Sequence, residues 1–367
     1  MKKINILTTD TTPNSFAFNY PLKVNKRRLN NLGLNVELFY RIKSRIFDCD
    51  VLCINSGYYR SYWRDRKNRI FSDFEMFRER RIPIYWFDTT DSTFSTQAEV
   101  LPFVKCYCKN QLFKDRTCYK KKYYGGRIYT DYYHKLYGVK DDVNPFPSTP
   151  IEPEYYERLK VSWNSGLDNH GLGCHNRLRR IKHYFYDRMH IPYKYDTRFI
   201  NDCDKSNDIS CRLGTRYNRN TAAIHRKKII EIVRKRGIST SKIKSAEYFC
   251  EIEKSKICVG PFGLGEITIR DYEIFIGGSL LLKPCVEHME TWPDLFVDNE
   301  TYVSFRWDLS DFEEKIENLL KNQDIITMIS MQGQEKYKYY FSEEGQEEFC
   351  EHFKNLIFLG ASSNESK

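Results

Sequence analysis

Residues Lys256–Lys283, KICVGPFGLGEITIRDYEIFIGGSLLLK, read as a strand, a glycine-rich turn, a helix, a glycine stop and a second strand. Ile257–Val259 is a short apolar run, and Gly260, Gly263 and Gly265 follow within six residues. Ile267–Ile276 has the spacing of one helix, closed by Gly277-Gly278, and Leu280–Leu282 is apolar enough for a buried strand. A glycine turn that opens a helix leaves backbone N–H groups available and directs the positive end of the helix dipole at one spot, which suits a phosphate. Glu266, Arg270 and Glu273 are spaced i, i+4, i+7, which predicts one shared helical face. Two carboxylates and a guanidinium beside an anion cradle suit a nucleotide diphosphate and its ribose hydroxyls. The plainer alternative is a tight strand-to-helix turn with an ion-pair stripe, since the turn has neither the Gly-Lys-Ser/Thr of a Walker loop nor GxGxxG.

Outward from this unit, strands and helices alternate along most of the 367 residues. In the first half Ile4–Thr8, Asn35–Tyr40, Asp50–Asn55 and Ile82–Phe87 read as strands, with helices over Leu22–Leu32 and Ser72–Arg81. Pro153–Trp163 and Asn176–Met189 look helical, and the polar, irregular Ile191–Asn207 is the candidate linker. A second alternation begins with a strand at Asp208–Leu213 and a helix at Asn220–Arg236. It continues through a short helix at Ser245–Lys254 and a strand at Thr301–Phe305. Ser310 and Glu313 fit a capping box for a helix over Ser310–Asn322, and Asp324–Phe358 is a mostly helical tail. This pattern predicts an α/β protein of two Rossmann-like domains facing a central cleft, with a C-terminal helical tail that returns to the first half. The expected division is 1–195 for the first domain, 196–345 for the second and 346–367 for the final helix and tail.

A length of 367 residues exceeds one ordinary core and fits two domains of about 150–200 residues. Mean hydropathy is −0.64, but 41% of residues are apolar and 15% aromatic, which marks an ordered chain. No apolar run approaches the roughly 20 residues that span a bilayer, and MKKINILTTD is too short for a secretory signal. The expected location is the cytoplasm, peripheral at the inner face of the membrane. The net charge of +10 is concentrated at Lys23–Arg28, Arg60–Arg69, Arg78–Arg81, Lys120–Arg127, Arg177–Lys182 and Arg226–Arg236. Solvated helix faces, an anionic membrane surface and an anionic substrate all fit that pattern. No nucleic-acid motif of fixed spacing occurs, so no nucleic-acid partner is expected. The twelve cysteines include no CxxC pair, and Cys106, Cys108, Cys118 and His134 are too irregular for a zinc site.

Ile269-Arg-Asp-Tyr-Glu273-Ile-Phe-Ile-Gly-Gly-Ser-Leu-Leu-Leu resembles the donor-domain signature of GT-B glycosyltransferases, in the exostosin-like form where Arg-x-x-Glu precedes a small-residue turn and a buried strand. The longer run through Pro284, His288, Glu290-Thr-Trp-Pro-Asp-Leu-Phe and Glu300-Thr-Tyr-Val looks like bacterial surface-polysaccharide glycosyltransferases. The resemblance implies a glycosyltransferase that moves a sugar from a nucleotide-sugar donor to a saccharide or lipid-linked acceptor. It implies Glu273 on the ribose hydroxyls and Arg270 near the diphosphate. Where the common pattern is Glu-x7-Glu, Gly265 stands eight residues before Glu273 and the carboxylate is Glu266, a candidate contact to the donor sugar. Such folds usually need no metal, because protein cations and a helix dipole replace it.

Three further groups complete the candidate site. Asp208-Ile-Ser-Cys-Arg212-Leu-Gly214-Thr-Arg216-Tyr217-Asn-Arg219 places arginines on a loop after a strand, where guanidinium groups suit a departing diphosphate. Arg212 and Arg219 are therefore expected at the donor, with Gly263 and Gly265 of the turn. Asp88 and Asp91, in Asp88-Thr-Thr-Asp91-Ser-Thr, lie at the end of a strand and are the candidate acceptor-side bases, with turn capping the competing role. Asp48-Cys-Asp50 and Asp202-Cys-Asp204 match the manganese-holding Asp-x-Asp of other glycosyltransferases, but two-residue matches arise by chance in a chain with 29% charged residues. The expectation is no metal and no cofactor beyond the nucleotide-sugar co-substrate. A nucleotide or polyanion binding module without catalysis is the alternative.

Overall fold

The computed structural model describes residues 1–63, 66–142, 148–170, 185–189, 191–200 and 204–359. Its first sheet is a six-stranded parallel layer built from β1 (Lys2–Leu7), β2 (Leu34–Phe39), β3 (Val51–Asn55), β4 (Ile84–Asp88), β5 (Cys106–Lys109) and β7 (Leu159–Val161), in the order β2-β1-β3-β4-β5-β7. Ile4, Ile6, Leu52, Ile54, Trp86 and Tyr107 are buried on both faces, as strands between two helical layers must be. The helices of this half include α1 (Pro13–Val24), α2 (Lys26–Asn31), α3 (Lys67–Glu79) and α4 (Ile128–Tyr137).

The second sheet is also parallel and pairs β8 (Asn207–Ser210), β9 (Ser255–Val259), β10 (Leu280–Pro284) and β12 (Val303–Phe305) in the order β12-β10-β9-β8. Around it lie α5 (Asn220–Lys235), α6 (Ser245–Lys254), α7 (Ile269–Ile276), α8 (Phe312–Leu320) and α9 (Gln323–Tyr339), followed by α10 (Glu343–Leu359). Two Rossmann-like α/β units and a C-terminal helical tail are therefore present, as the alternation predicts. An antiparallel ribbon joins them: β6 (Gln111–Phe113) of the first unit pairs with β11 (Met289–Thr291) of the second. One apolar cluster runs through both units, from Ile4, Phe87 and Trp163 to Tyr272, Leu281 and Tyr337. Helix α10 returns to the first unit, with Phe349 and Phe353 against Trp163 and Tyr85 Oη donating to the Ile357 carbonyl at 3.1 Å.

Several elements differ from the sequence expectation. The first helix starts at Pro13, not Leu22, because Thr12 caps it by accepting from Ser15 N at 3.1 Å and Pro13 suits the first helical position. Pro21 is tolerated inside it. Pro153–Trp163 is not a helix: a 3-10 turn over Pro153–Arg158 leads into edge strand β7, which pairs with β5. Ser310 does not cap α8. It binds Asp308 Oδ1 with both its amide and its hydroxyl, and the helix starts at Phe312. Helix α7 begins at Ile269 after Thr268, whose amide donates to Asp271 Oδ2 at 2.8 Å. Of the helix expected over Asn176–Met189, residues 176–184 lie outside the described residues, and 185–188 are helical.

Candidate active site between the two sheets

The chain reverses its direction of winding at β1, which lies between β2 and β3. Loops leaving adjacent strands at such a reversal splay apart and leave a crevice at the carboxyl edge. Here the loops after β1, β3 and β4 line a cavity of about 900 Å³, with Thr9, Thr12, Ser56, Tyr58, Thr89 and Asp91 among its walls. A smaller cavity of about 300 Å³ adjoins it, where Thr268 and Ile269 at the start of α7 face Asn14, Asn164 and Ser165. Asn14, Thr89 and Asp91 line both. Asn14 Nδ2 holds Asp91 by donating to its Oδ1 at 2.6 Å and to the Thr89 carbonyl at 2.8 Å.

Asp88 lies beneath this floor and lines neither cavity. Its carboxylate is 0% exposed and fully engaged. Oδ1 accepts from Thr90 N at 2.8 Å, and Oδ2 from Tyr107 Oη at 2.6 Å and Lys109 Nζ at 3.1 Å. Lys109 also donates to Thr90 Oγ1 at 2.7 Å. Asp88 thus fixes the turn that carries Asp91 and has no opening toward an acceptor.

The glycine turn docks on that same loop. A Cβ on Gly265 would stand 1.8 Å from the Asp91 carbonyl oxygen, so only glycine permits the approach. Gly263 N donates to the Gly265 carbonyl at 3.0 Å, and the Gly263 carbonyl accepts from Tyr129 Oη at 3.0 Å. Glu266 precedes α7 and does not share its face with Arg270 and Glu273, because the i, i+4, i+7 relation holds only inside a helix. Its carboxylate is 0% exposed and turned into the first unit. There it accepts from Ser92 Oγ, Thr93 N and Gln111 Nε2, each at 3.1 Å. Burial by itself raises this carboxyl. The His288 imidazole, 3.9 Å away, and the Thr93 amide more than offset that and hold it below its ordinary value.

Arg270 and Glu273 remain together on α7. The Arg270 guanidinium lies 5.2 Å over the Tyr248 ring and donates to the Arg212 carbonyl, and Tyr248 Oη donates to Glu273 Oε2 at 3.2 Å. Burial pushes the Tyr248 phenol up. Arg212 contributes its backbone here and not its charge: Nε and Nη2 are bound to Glu251, and Nη1 to Ser239 and the Ser241 carbonyl. The Glu251 carboxylate raises the Arg212 pKa. Arg219 shares no hydrogen-bond partner with Arg212 or Arg270 among the described residues. It lines the larger cavity and donates to the Gly125 carbonyl at 3.1 Å.

Two arginines escape the sequence reading. Arg226 is only 7% exposed, donates through Nε to the Phe262 carbonyl at 2.6 Å and through Nη1 to the Gly214 carbonyl at 3.1 Å, and lies 5.1 Å over Tyr217. Burial lowers its pKa. Its signal was present: it falls on the apolar stripe of α5 with Ala222, Ala223, Ile229 and Val233. Arg127, 8% exposed, donates through Nε to the Leu264 carbonyl at 2.6 Å. Nothing in the basic run Lys120–Arg127 distinguishes it. A buried ion pair, Lys283–Asp271 at 2.8 Å, underlies the start of α7. Burial pushes Asp271 up and Lys283 down while each partner's charge opposes this.

Among the described residues, no group of three or more His, Cys, Asp or Glu side chains is placed to hold a metal ion. Asp48 pairs with Lys3 at 3.0 Å, and Asp50 Oδ2 accepts from Lys3 N at 2.7 Å. Asp202 lies outside the described residues. No described helix is long and apolar enough to cross a membrane.

No protein-family model matches the sequence, and no curated protein matches it. Solved structures do. HepE from Anabaena, in complex with UDP and glucose, is similar at 8% identity over 98% of this chain and 99% of its own, with a TM-score of 0.44. Sucrose-phosphate synthase from Thermosynechococcus elongatus is similar at 10% identity over 98% and 100%, with a TM-score of 0.43. A glycosyltransferase from Rickettsia africae is similar at 8% identity over 97% and 98%, with a TM-score of 0.44. At this identity and overlap the likeness assigns no residue a role.

Proposed function

We propose that the protein transfers a sugar from a nucleotide-sugar donor to a hydroxyl of a saccharide or lipid-linked acceptor, as exostosin-like and surface-polysaccharide glycosyltransferases do. The observation that carries this reading is the position of Asp91, a partly exposed carboxylate lining both cavities at once. A base for this reaction has to reach the acceptor hydroxyl while that oxygen faces the donor's anomeric carbon. In this reading residues 196–345 hold the donor and 1–195 present the acceptor. The diphosphate lies at the amino end of α7, where Gly265 lines the smaller cavity, with Arg226 and Arg270 supplying positive charge. Glu273 accepts the ribose hydroxyls in place of Tyr248. As the acceptor oxygen bonds to the anomeric carbon, Asp91 takes its proton and the nucleoside diphosphate leaves with the electron pair of the broken bond. Glu266 and Asp88 act by positioning, not by touching substrate. We further propose that the reaction needs no metal and takes place at the inner face of the membrane. The exposed Arg78, Arg80, Arg81, Lys120 and Lys121 would face anionic lipid there.

Incubation with UDP-, GDP- and ADP-sugars, with release of nucleoside diphosphate as the signal, tests the reading. Acceptor-dependent release from one of them, unchanged by a chelator, is expected. Tight binding without turnover on any acceptor would instead mark a binding module. Glu273→Ala is expected to weaken the preferred nucleotide at least tenfold with the circular dichroism spectrum preserved. Unchanged affinity would remove Glu273 from the site.

A further inference from the structure

Two guanidinium groups meet on one oxygen at the edge of the larger cavity. Arg127 Nη1 donates to the Gly125 carbonyl at 3.4 Å, and Arg219 Nη1 donates to the same carbonyl at 3.1 Å. One comes from each unit, and both line the cavity. Their remaining bond, from Arg127 to the Leu264 carbonyl, is also to backbone. Among the described residues neither forms an ion pair with a carboxylate. Of the cavity's own acids, Glu99 pairs with Lys67 at 2.8 Å, and Asp91 accepts from Asn14 through Oδ1 and forms no ion pair with either arginine. Arg60, on the same wall, is exposed and has no ion pair among the described residues either.

Like charges repel, and a guanidinium as buried as Arg127 loses hydration that a carbonyl only partly replaces. Holding two of them on one carbonyl, without a carboxylate, leaves a position where an anion gains from both. Arginine forks match the planar or trigonal oxygens of carboxylate and phosphate. The wall around this position belongs to the first unit and is rich in hydroxyls, whereas neither arginine lines the smaller cavity at the start of α7. We propose that Arg127 and Arg219 form a seat for an oxyanion carried by the acceptor, so that the acceptor is a negatively charged saccharide or a phosphorylated one. This rests on the transfer reading above, and it moves Arg219 from the donor to the acceptor.

Calorimetric titration of the full chain tests it, with glucose 6-phosphate against glucose, glucuronic acid against glucose, and UDP, GDP and ADP as donor-side probes. The charged sugars are expected to bind at least tenfold more tightly than glucose, the better of the two naming the anion. Arg219→Gln is expected to bring that ratio within twofold of unity and Arg219→Lys to restore part of it, with the affinity of the best nucleotide changed less than twofold in both. No preference for either charged sugar in the unaltered protein overturns the proposal. So does a loss of nucleotide affinity in Arg219→Gln as large as the loss for the charged sugar, which assigns the pair to the donor. A charged-sugar preference that depends on Arg219, in a protein that binds none of the three nucleotides, supports the oxyanion seat and refutes the transfer reading.

Discussion

Glu266 takes three hydrogen bonds from the first unit, and its charge is what those donors are arranged around. Its folded pKa lies below its ordinary value of 4.5, so the ionised form is the one the fold favours. The contribution to stability is complete above 4.5 and is lost as the pH falls through the lower folded value. Glu266→Gln should therefore lower stability at pH 7 by about 1–3 kcal/mol, because the amide group cannot accept all three bonds. The gap to the unaltered protein should close at acid pH, which thermal unfolding from pH 3 to 7 would show. The i, i+4, i+7 spacing presents Glu266, Arg270 and Glu273 as equals, whereas the local Thr268-x-x-Asp271 cap marks the helix start and leaves Glu266 outside it. Arg226 shows the converse failure. Its place on an apolar stripe was legible, but a charge within a basic run reads as solvated.

At the scale of elements, the glycine turn is a second joint between the two units, beside the β6–β11 ribbon. Gly265→Ala sets a Cβ against the Asp91 carbonyl, and backbone cannot give way as a flexible side chain can. A destabilisation of about 1–3 kcal/mol is expected, together with a drop in turnover, because the clash displaces the loop that carries Asp91. Gly214→Ala is the control: no atom of the described residues lies within 4 Å of its Cβ position, so stability and activity should stay near those of the unaltered protein. Paired thermal melts and rate measurements on the two variants check this. The strand–turn–helix–strand unit around this joint was readable because its signals are local: an apolar run, glycines and helical spacing. Strands β5, β6 and β7 were not. They have four, three and three residues, too few for a period to register, and they are strands because of the distant partners they pair with.

The whole molecule is tied together by a core that crosses between the sheets and by a last helix that returns to the first unit. The return of the tail was readable from the order of elements, whereas the shared core, an outcome of packing, was not. Phe353, fully buried against Trp163, belongs to α10 yet supports the first unit. Phe353→Ala should cost about 3–5 kcal/mol, and calorimetry should show one cooperative transition moving as a whole. Two separated transitions would mean the units fold independently. The shared core also bears on the chemistry, since Asp91 from the first unit must meet a donor held by the second. The most direct test of that meeting is turnover by Asp91→Asn on whichever sugar nucleotide the unaltered protein uses, measured alongside its affinity for that nucleotide. Affinity within twofold and a rate lower by about 10²–10⁴ are expected. A rate within tenfold of the unaltered protein would contradict Asp91 as the base.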